Sequence, residues 1–274
     1  KTGWTALQRQ AGLLRGAPEA YEVDIGRRLP GVLHHEDPTW LGLVEAAAEG
    51  QVEYAAAGEP VRRQLDMLAG ELFPHRKDSC TGEELLQRLS ISPMVRSELG
   101  QLSALLAAES DLQATHLPGV PAAWPLILHA TYTLRELMMA CGWISGRARE
   151  VPQGGVLALH KAMIELLFVT LDKTSGFSAR TSYHDYAISP TLFHWQSQNS
   201  SGPGTQAGKR YLHGADDGWV FQLFVRETKE DAYRAMGPVS LVAAEGAKPM
   251  SITWKLQVPL TAHLFRRYSV LRSA

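Results

Sequence analysis

The chain has 274 residues, 45% apolar and 20% charged. That balance supports one large or two small globular domains and excludes disordered and fibrous classes. The net charge of −1 conceals an asymmetry: residues 1–150 carry 14 Lys/Arg against 19 Asp/Glu, a net of −5, and residues 151–274 carry 13 against 9, a net of +4. The second half is therefore the one suited to a phosphate backbone.

The two cysteines, Cys80 and Cys141, are too few and too far apart for a zinc motif or a disulfide framework, so a reducing cytoplasm is expected. No apolar run reaches the length of a membrane span and no signal peptide is evident, so no membrane partner is expected. The first residue is Lys1, which suggests a piece of a longer protein.

The first half is helical in pattern. Thr5–Leu14, Trp40–Glu49, Val61–Leu72, Glu83–Leu89 and Pro93–Ala108 carry apolar residues at helical spacing, and Ser79 or Thr81 is placed to cap the fourth. Three prolines and a glycine in Leu117–Pro125 break the run, and Tyr132–Cys141 predicts one more helix.

A boundary is expected near residues 145–158, dividing a helical region (1–150) from a β-rich domain (151–274). Ile164–Leu171 is a short apolar run followed by the turn-like Asp172–Gly176; Trp219–Arg226, Val239–Ala243 and Ser251–Val258 predict strands, whereas the Ser-, Gly- and Pro-rich Ser200–Gly208 predicts a mobile loop. The fold class is then α+β: helices first, followed by a small, mostly antiparallel sheet or barrel-like domain.

The densest group of metal-ligand types is His34-His35-Glu36-Asp37, but adjacent side chains seldom converge on one ion, and a polar helix start ahead of Pro38 is the expected role. No metal or other cofactor is expected. Gly204–Arg210 lacks the first glycine and the Ser/Thr of a phosphate-binding loop, so this chain is not expected to hydrolyse ATP.

Ser182–Asn199 stands apart. If Leu192–Gln198 is extended, Phe193, Trp195 and Ser197 share one face and His194, Gln196 and Gln198 the other. A row of hydrogen-bonding groups suits a base edge, a sugar or a backbone, and equally a solvated sheet face. Asp185 with Gln196 and Gln198 is a poor imitation of a metal-dependent nuclease centre, because two of the three groups carry no charge. His184 or His194 with Asp185 forms a possible acid–base pair, with structural histidine the plainer role. No catalytic residue is assigned.

Several blocks together resemble a known family: Phe168–Lys173, Ser182–Ser189, Phe193–Asn199, Leu223–Arg226, Glu245-Gly246, Lys248–Met250 and Ile252–Leu256. It is the bacterial domain of unknown function found C-terminal to DEAD/DEAH-box superfamily 2 helicases. Trp4–Leu7, Ala11-Gly12 and His34–Pro38 resemble, more loosely, the helical region that precedes that domain.

The resemblance implies an accessory region of an ATP-dependent helicase, acting on DNA or possibly RNA in repair or phage defence, with the motor domains of the same parent chain as partners. The contacts expected on a nucleic acid are His194, Gln196, Gln198, Asn199, Lys209, Arg210 and Arg226. Alternatives are a modified-base or end reader with a pocket lined by Tyr183, Tyr186, His194 and Trp195, a protein-interaction brace, or a metal-dependent nuclease.

Overall fold

The computed structural model describes residues 3–75, 77–144, 155–171 and 185–269. The chain divides into two compact units, one of residues 1–116 and 121–151, the other of residues 117–120 and 152–274. Most of the expected boundary region, 145–154, lies outside the described residues. The fold is α+β, with helices mostly in the first unit and a mostly antiparallel sheet in the second.

The first unit contains α1 (Trp4–Gln10), α2 (Glu22–Arg28), a 3-10 turn (Leu29–Val32), α3 (Pro38–Glu49), α4 (Glu59–Leu72), α5 (Gly82–Ser90), α6 (Pro93–Glu109), a two-residue strand β1 (Thr131–Tyr132) and α7 (Leu134–Ala140). Helix α1 is shorter than its periodicity predicts, because Gly12, at φ 71°, turns the chain aside. The Asp37 carboxylate accepts from the amides of Thr39 and Trp40 and so caps α3, with Pro38 at the first helical position.

Thr81, not Ser79, caps α5, in a reciprocal box with Glu84. Ile25, Trp40, Leu41, Leu68, Leu72, Leu85, Val95 and Leu99 fill the core between these helices.

The second unit contains β2 (Val156–Leu159), β3 (Ile164–Thr170), β4 (Tyr186–Ser189), β5 (Leu192–Gln196), α8 (Gln206–His213), β6 (Val220–Arg226), β7 (Tyr233–Glu245), β8 (Ser251–Leu256) and α9 (Ala262–Tyr268). Among the described residues, strands β2 to β8 follow the order β2-β3-β6-β7-β8-β5-β4, an open sheet with β2 and β4 at its ends. Every pair is antiparallel except β3 with β6.

One face of this sheet is apolar. Phe193 and Trp195 on β5, Ile252 and Trp254 on β8, Phe221, Leu223 and Val225 on β6, and Leu167 and Val169 on β3 pack with Tyr211 of α8 and with Leu264 and Tyr268 of α9.

Ser200–Gly208 departs from the expected mobile loop. Thr205 caps α8: its hydroxyl accepts from the Gly208 amide and donates to the Gly202 carbonyl. A side chain on Gly208 would collide with that carbonyl, so glycine here serves close packing and not flexibility. Helix α8 is pinned to the sheet by Arg210, whose Nε and Nη2 both donate to the buried Glu165 carboxylate on the apolar face of β3.

Removing one member of a buried pair strands the other charge. Arg210→Met should therefore lower unfolding free energy by about 3–5 kcal/mol in urea titrations followed by tryptophan fluorescence. A change within about 0.5 kcal/mol, the usual range for a surface position, would show that the pair does not hold α8.

Candidate functional site

The alternation expected of Leu192–Gln198 is present. Phe193, Trp195 and Ser197 are buried, while His194, Gln196 and Gln198 are partly exposed. Strand β8 runs antiparallel beside β5 with His194 opposite Thr253 and Gln196 opposite Ser251, and β4 sets Tyr186 opposite His194 on the other side.

Cross-strand neighbours share a face. Tyr186, His194, Gln196, Ser251, Thr253 and Lys255 therefore line one partly exposed surface on the side opposite the apolar core. Tyr186 and His194 stack there, with ring centroids 5.1 Å apart and planes inclined by 21°. His194 Nε2 lies 2.6 Å from the Ser251 hydroxyl, which orients the imidazole.

Gln198 and Asn199 follow the end of β5, Gln198 partly exposed and Asn199 exposed, and Lys209 is exposed on α8. The two expected arginine contacts serve other purposes. Arg210 is committed to Glu165 and lies over the Trp219 ring. Arg226 donates to the Thr170 hydroxyl and the Lys229 carbonyl and lies 4.4 Å from the Tyr233 ring centre.

Of the aromatic pocket expected, Trp195 does not join Tyr186 and His194. Trp195 is 4% exposed, and its ring packs edge-on to Tyr211 on the side of the sheet away from Tyr186 and His194. Tyr183 and His184 lie outside the described residues. Asp185 is buried and accepts from the Gln196 backbone amide at 2.7 Å, a structural role that braces β5. Among the described residues, no three-ligand group forms around Asp185.

The first unit holds a polar cluster that the sequence reading did not assemble. His34 and His35 do converge, contrary to expectation, and their target is the buried carboxylate of Glu136: His34 Nε2 reaches Oε2 at 2.9 Å and His35 Nε2 reaches Oε1 at 2.6 Å. Glu136 is held there by the capping box of α7, in which its Oε2 accepts from the Thr133 amide at 2.7 Å. The Thr133 hydroxyl donates to Glu71 at the end of α4.

Burial alone would push the Glu136 carboxyl up, but His35 and His34 reverse this and hold it well below the usual range. At Glu71 the Thr133 hydroxyl and the His34 and Arg135 charges offset burial only in part. Burial, reinforced by the Glu136 charge, raises it to about 7. A Thr-x-x-Glu spacing at Thr133–Glu136 is visible in the sequence, but it signals a helix cap and says nothing of two histidines a hundred residues away. The thiols of Cys80 and Cys141 are pushed by burial to about 11, so neither is poised as a nucleophile.

A family model described as Domain of unknown function (DUF3427) matches residues 126–268, a stretch that takes in α7 and all of the sheet from β2 to β8. No curated protein matches the chain. Among the described residues, no helix is long and apolar enough to cross a membrane.

The two faces of β5 predict opposite mutational signatures. Trp195→Ala should cost about 3–5 kcal/mol of stability through the cavity it leaves. His194→Ala should cost about 1 kcal/mol or less, the worth of one partly exposed hydrogen bond. Thermal unfolding of the two variants side by side checks both, and equal losses would mean that the faces are misassigned.

Proposed function

The chain belongs to the DUF3427 family, a domain of unknown function, and we propose that it is an accessory region of a superfamily 2 helicase that binds single-stranded nucleic acid on the open face of β4, β5 and β8. The observation that carries this reading is the Tyr186–His194 ring stack on a partly exposed sheet face. An aromatic pair presented by a rigid sheet offers a platform to any base, because every base has a flat face on which to stack.

Gln196, Ser251 and Thr253 beside it supply donors and acceptors for base edges or sugars, and Lys255 supplies a phosphate contact. The net charge of +4 on residues 151–274 agrees in sign. The likeness to the helicase-associated domain supplies the context in which such a platform is useful: it keeps a separated strand beside the motor.

A modified-base pocket is less well supported, because Trp195 faces the core. A nuclease is less well supported, because Asp185 is committed to the β5 backbone.

The test is fluorescence anisotropy of labelled single-stranded DNA, single-stranded RNA and duplex titrated with the whole chain at several salt concentrations. Single strands should bind more tightly than duplex. The double variant Tyr186→Ala/His194→Ala should weaken binding about tenfold or more, as expected when a stacked base worth about 1–3 kcal/mol is lost. Lys255→Glu should weaken binding and flatten its salt dependence. No binding at low salt, or binding indifferent to the double substitution, would overturn the proposal.

A further inference from the structure

We propose that His34, His35 and Glu136 form a binding site for one divalent transition-metal ion of the zinc class, built into the helical unit and independent of the nucleic-acid reading. This departs from the expectation of a metal-free chain. One ring nitrogen of each histidine and a carboxylate oxygen of Glu136 lie within 4.8 Å of one another. Ligand atoms around a tetrahedral zinc sit about 3.3 Å apart, given bonds of about 2.0–2.1 Å. The observed 2.9 and 2.6 Å separations therefore need to open by less than about an ångström to admit an ion.

The hydrogen bonds around His34 call for positive charge between its imidazole and the Glu136 carboxylate. His34 Nδ1 lies 2.9 Å from the Gly31 carbonyl, which can only accept, so that nitrogen carries a proton. Its Nε2 then faces the Glu136 carboxylate, and a lone pair pointing at an anion is repulsive unless positive charge lies between them. Either a second proton or a metal ion meets that need, and a metal ion can engage Glu136 and both imidazoles together.

The surroundings are those of a ligand set. The Gly31 carbonyl fixes the tautomer of His34 in the way that outer-shell acceptors orient metal-bound histidines. His35 is locked by stacking on Trp40, ring centres 3.4 Å apart, and the Thr133 amide holds Glu136. Glu71, joined to the same Thr133, places a second carboxylate close by, so the ion's two charges can be balanced. Two imidazoles and one carboxylate favour zinc-like ions over calcium or magnesium, which prefer all-oxygen sites.

Both His35 and Glu136 are buried, and the three ligands come from the turn before α3 and from the start of α7. Such an ion would tie distant parts of the unit together, so a structural role follows.

The whole chain, stripped with a chelator, should be titrated with Zn²⁺ against a chromophoric competitor and separately with Co²⁺ while visible absorption is recorded. The expected result is one equivalent bound, the d–d bands of a mixed nitrogen–oxygen site, and a higher Tm with zinc. His34→Gln and His35→Gln should each weaken binding by about 100-fold or more, since loss of an outer-shell partner alone costs about 10- to 100-fold.

Glu136→Gln also removes the buried charge that His34 and His35 face; if that variant does not fold, the histidine variants and the cobalt spectrum of the unsubstituted chain decide. No stoichiometric binding by the folded chain, or binding unchanged in both histidine variants, would overturn the proposal.

Discussion

Burial of Phe193, Trp195 and Trp254 on one face of β5 and β8 fixes what the opposite face can present. Side chains alternate strictly along a strand, so a one-residue register slip of β5 would bring His194 and Gln196 into the core and expose Phe193 and Trp195. Trp254 lies opposite Phe193 and packs 5.1 Å from Phe221, while Trp195 meets Tyr211 of α8. This aromatic layer holds the strands in one register, and the outward row of Tyr186, His194, Gln196 and Thr253 is its geometrical consequence. Any recognition on that face rests on a rigid support that hydrophobic burial supplies.

The helical unit rests on a different constraint, the need to neutralise a carboxylate taken out of water. Glu136 is buried by its place at the start of α7, and desolvation of a lone carboxylate is expensive. Two histidines and the Thr133 amide meet that cost, and in doing so they bind the turn before α3 to α7. Asp37 repeats the device one residue pair further along: one oxygen caps α3 and the other accepts from the Tyr132 hydroxyl. Most polar groups around Glu136 and Asp37 are thus paired, which is how a small helical unit keeps them buried, although His35 Nδ1 and Trp40 Nε1 are buried with no hydrogen-bond partner.

Much of the fold was legible in the sequence because local signals and tertiary environment agree there. The periods of α3, α4, α5 and α6 and the cap residues Asp37 and Thr81 are local features, as is the alternation in β5. Helix α8 was not legible. Its approach is rich in Ser, Gly and Pro, a composition that marks a loop, and Gly208 is demanded by the nearby Gly202 carbonyl and not by flexibility. Helices α2 and α9, seven residues each, were not anticipated either.

At the candidate sites the same division holds. The faces of Phe193–Asn199 follow from spacing alone. The meeting of His34 and His35 with Glu136 is a contact between residues 102 and 101 positions apart, and no local pattern encodes it.

The charges carry the same lesson about counting residues without their partners. A net of +4 in residues 151–274 suggests a cationic surface, yet Arg210 neutralises Glu165, Arg226 serves the Thr170 and Lys229 oxygens, and Arg267 pairs with Glu227. Among the described residues, the exposed positive groups nearest the open sheet face in register are few, with Lys255 on β8 the clearest. A surface of this kind neutralises few phosphates, and salt dependence scales with the number neutralised. Binding there would have to draw mainly on stacking against Tyr186 and His194 and on hydrogen bonds from Gln196, Ser251 and Thr253. Such contacts tolerate many sequences and favour strands whose bases are already unpaired. On the proposed reading, that is the form in which nucleic acid leaves a helicase motor, so the few exposed cations on this face among the described residues suit a resting place for a separated strand better than a clamp on duplex.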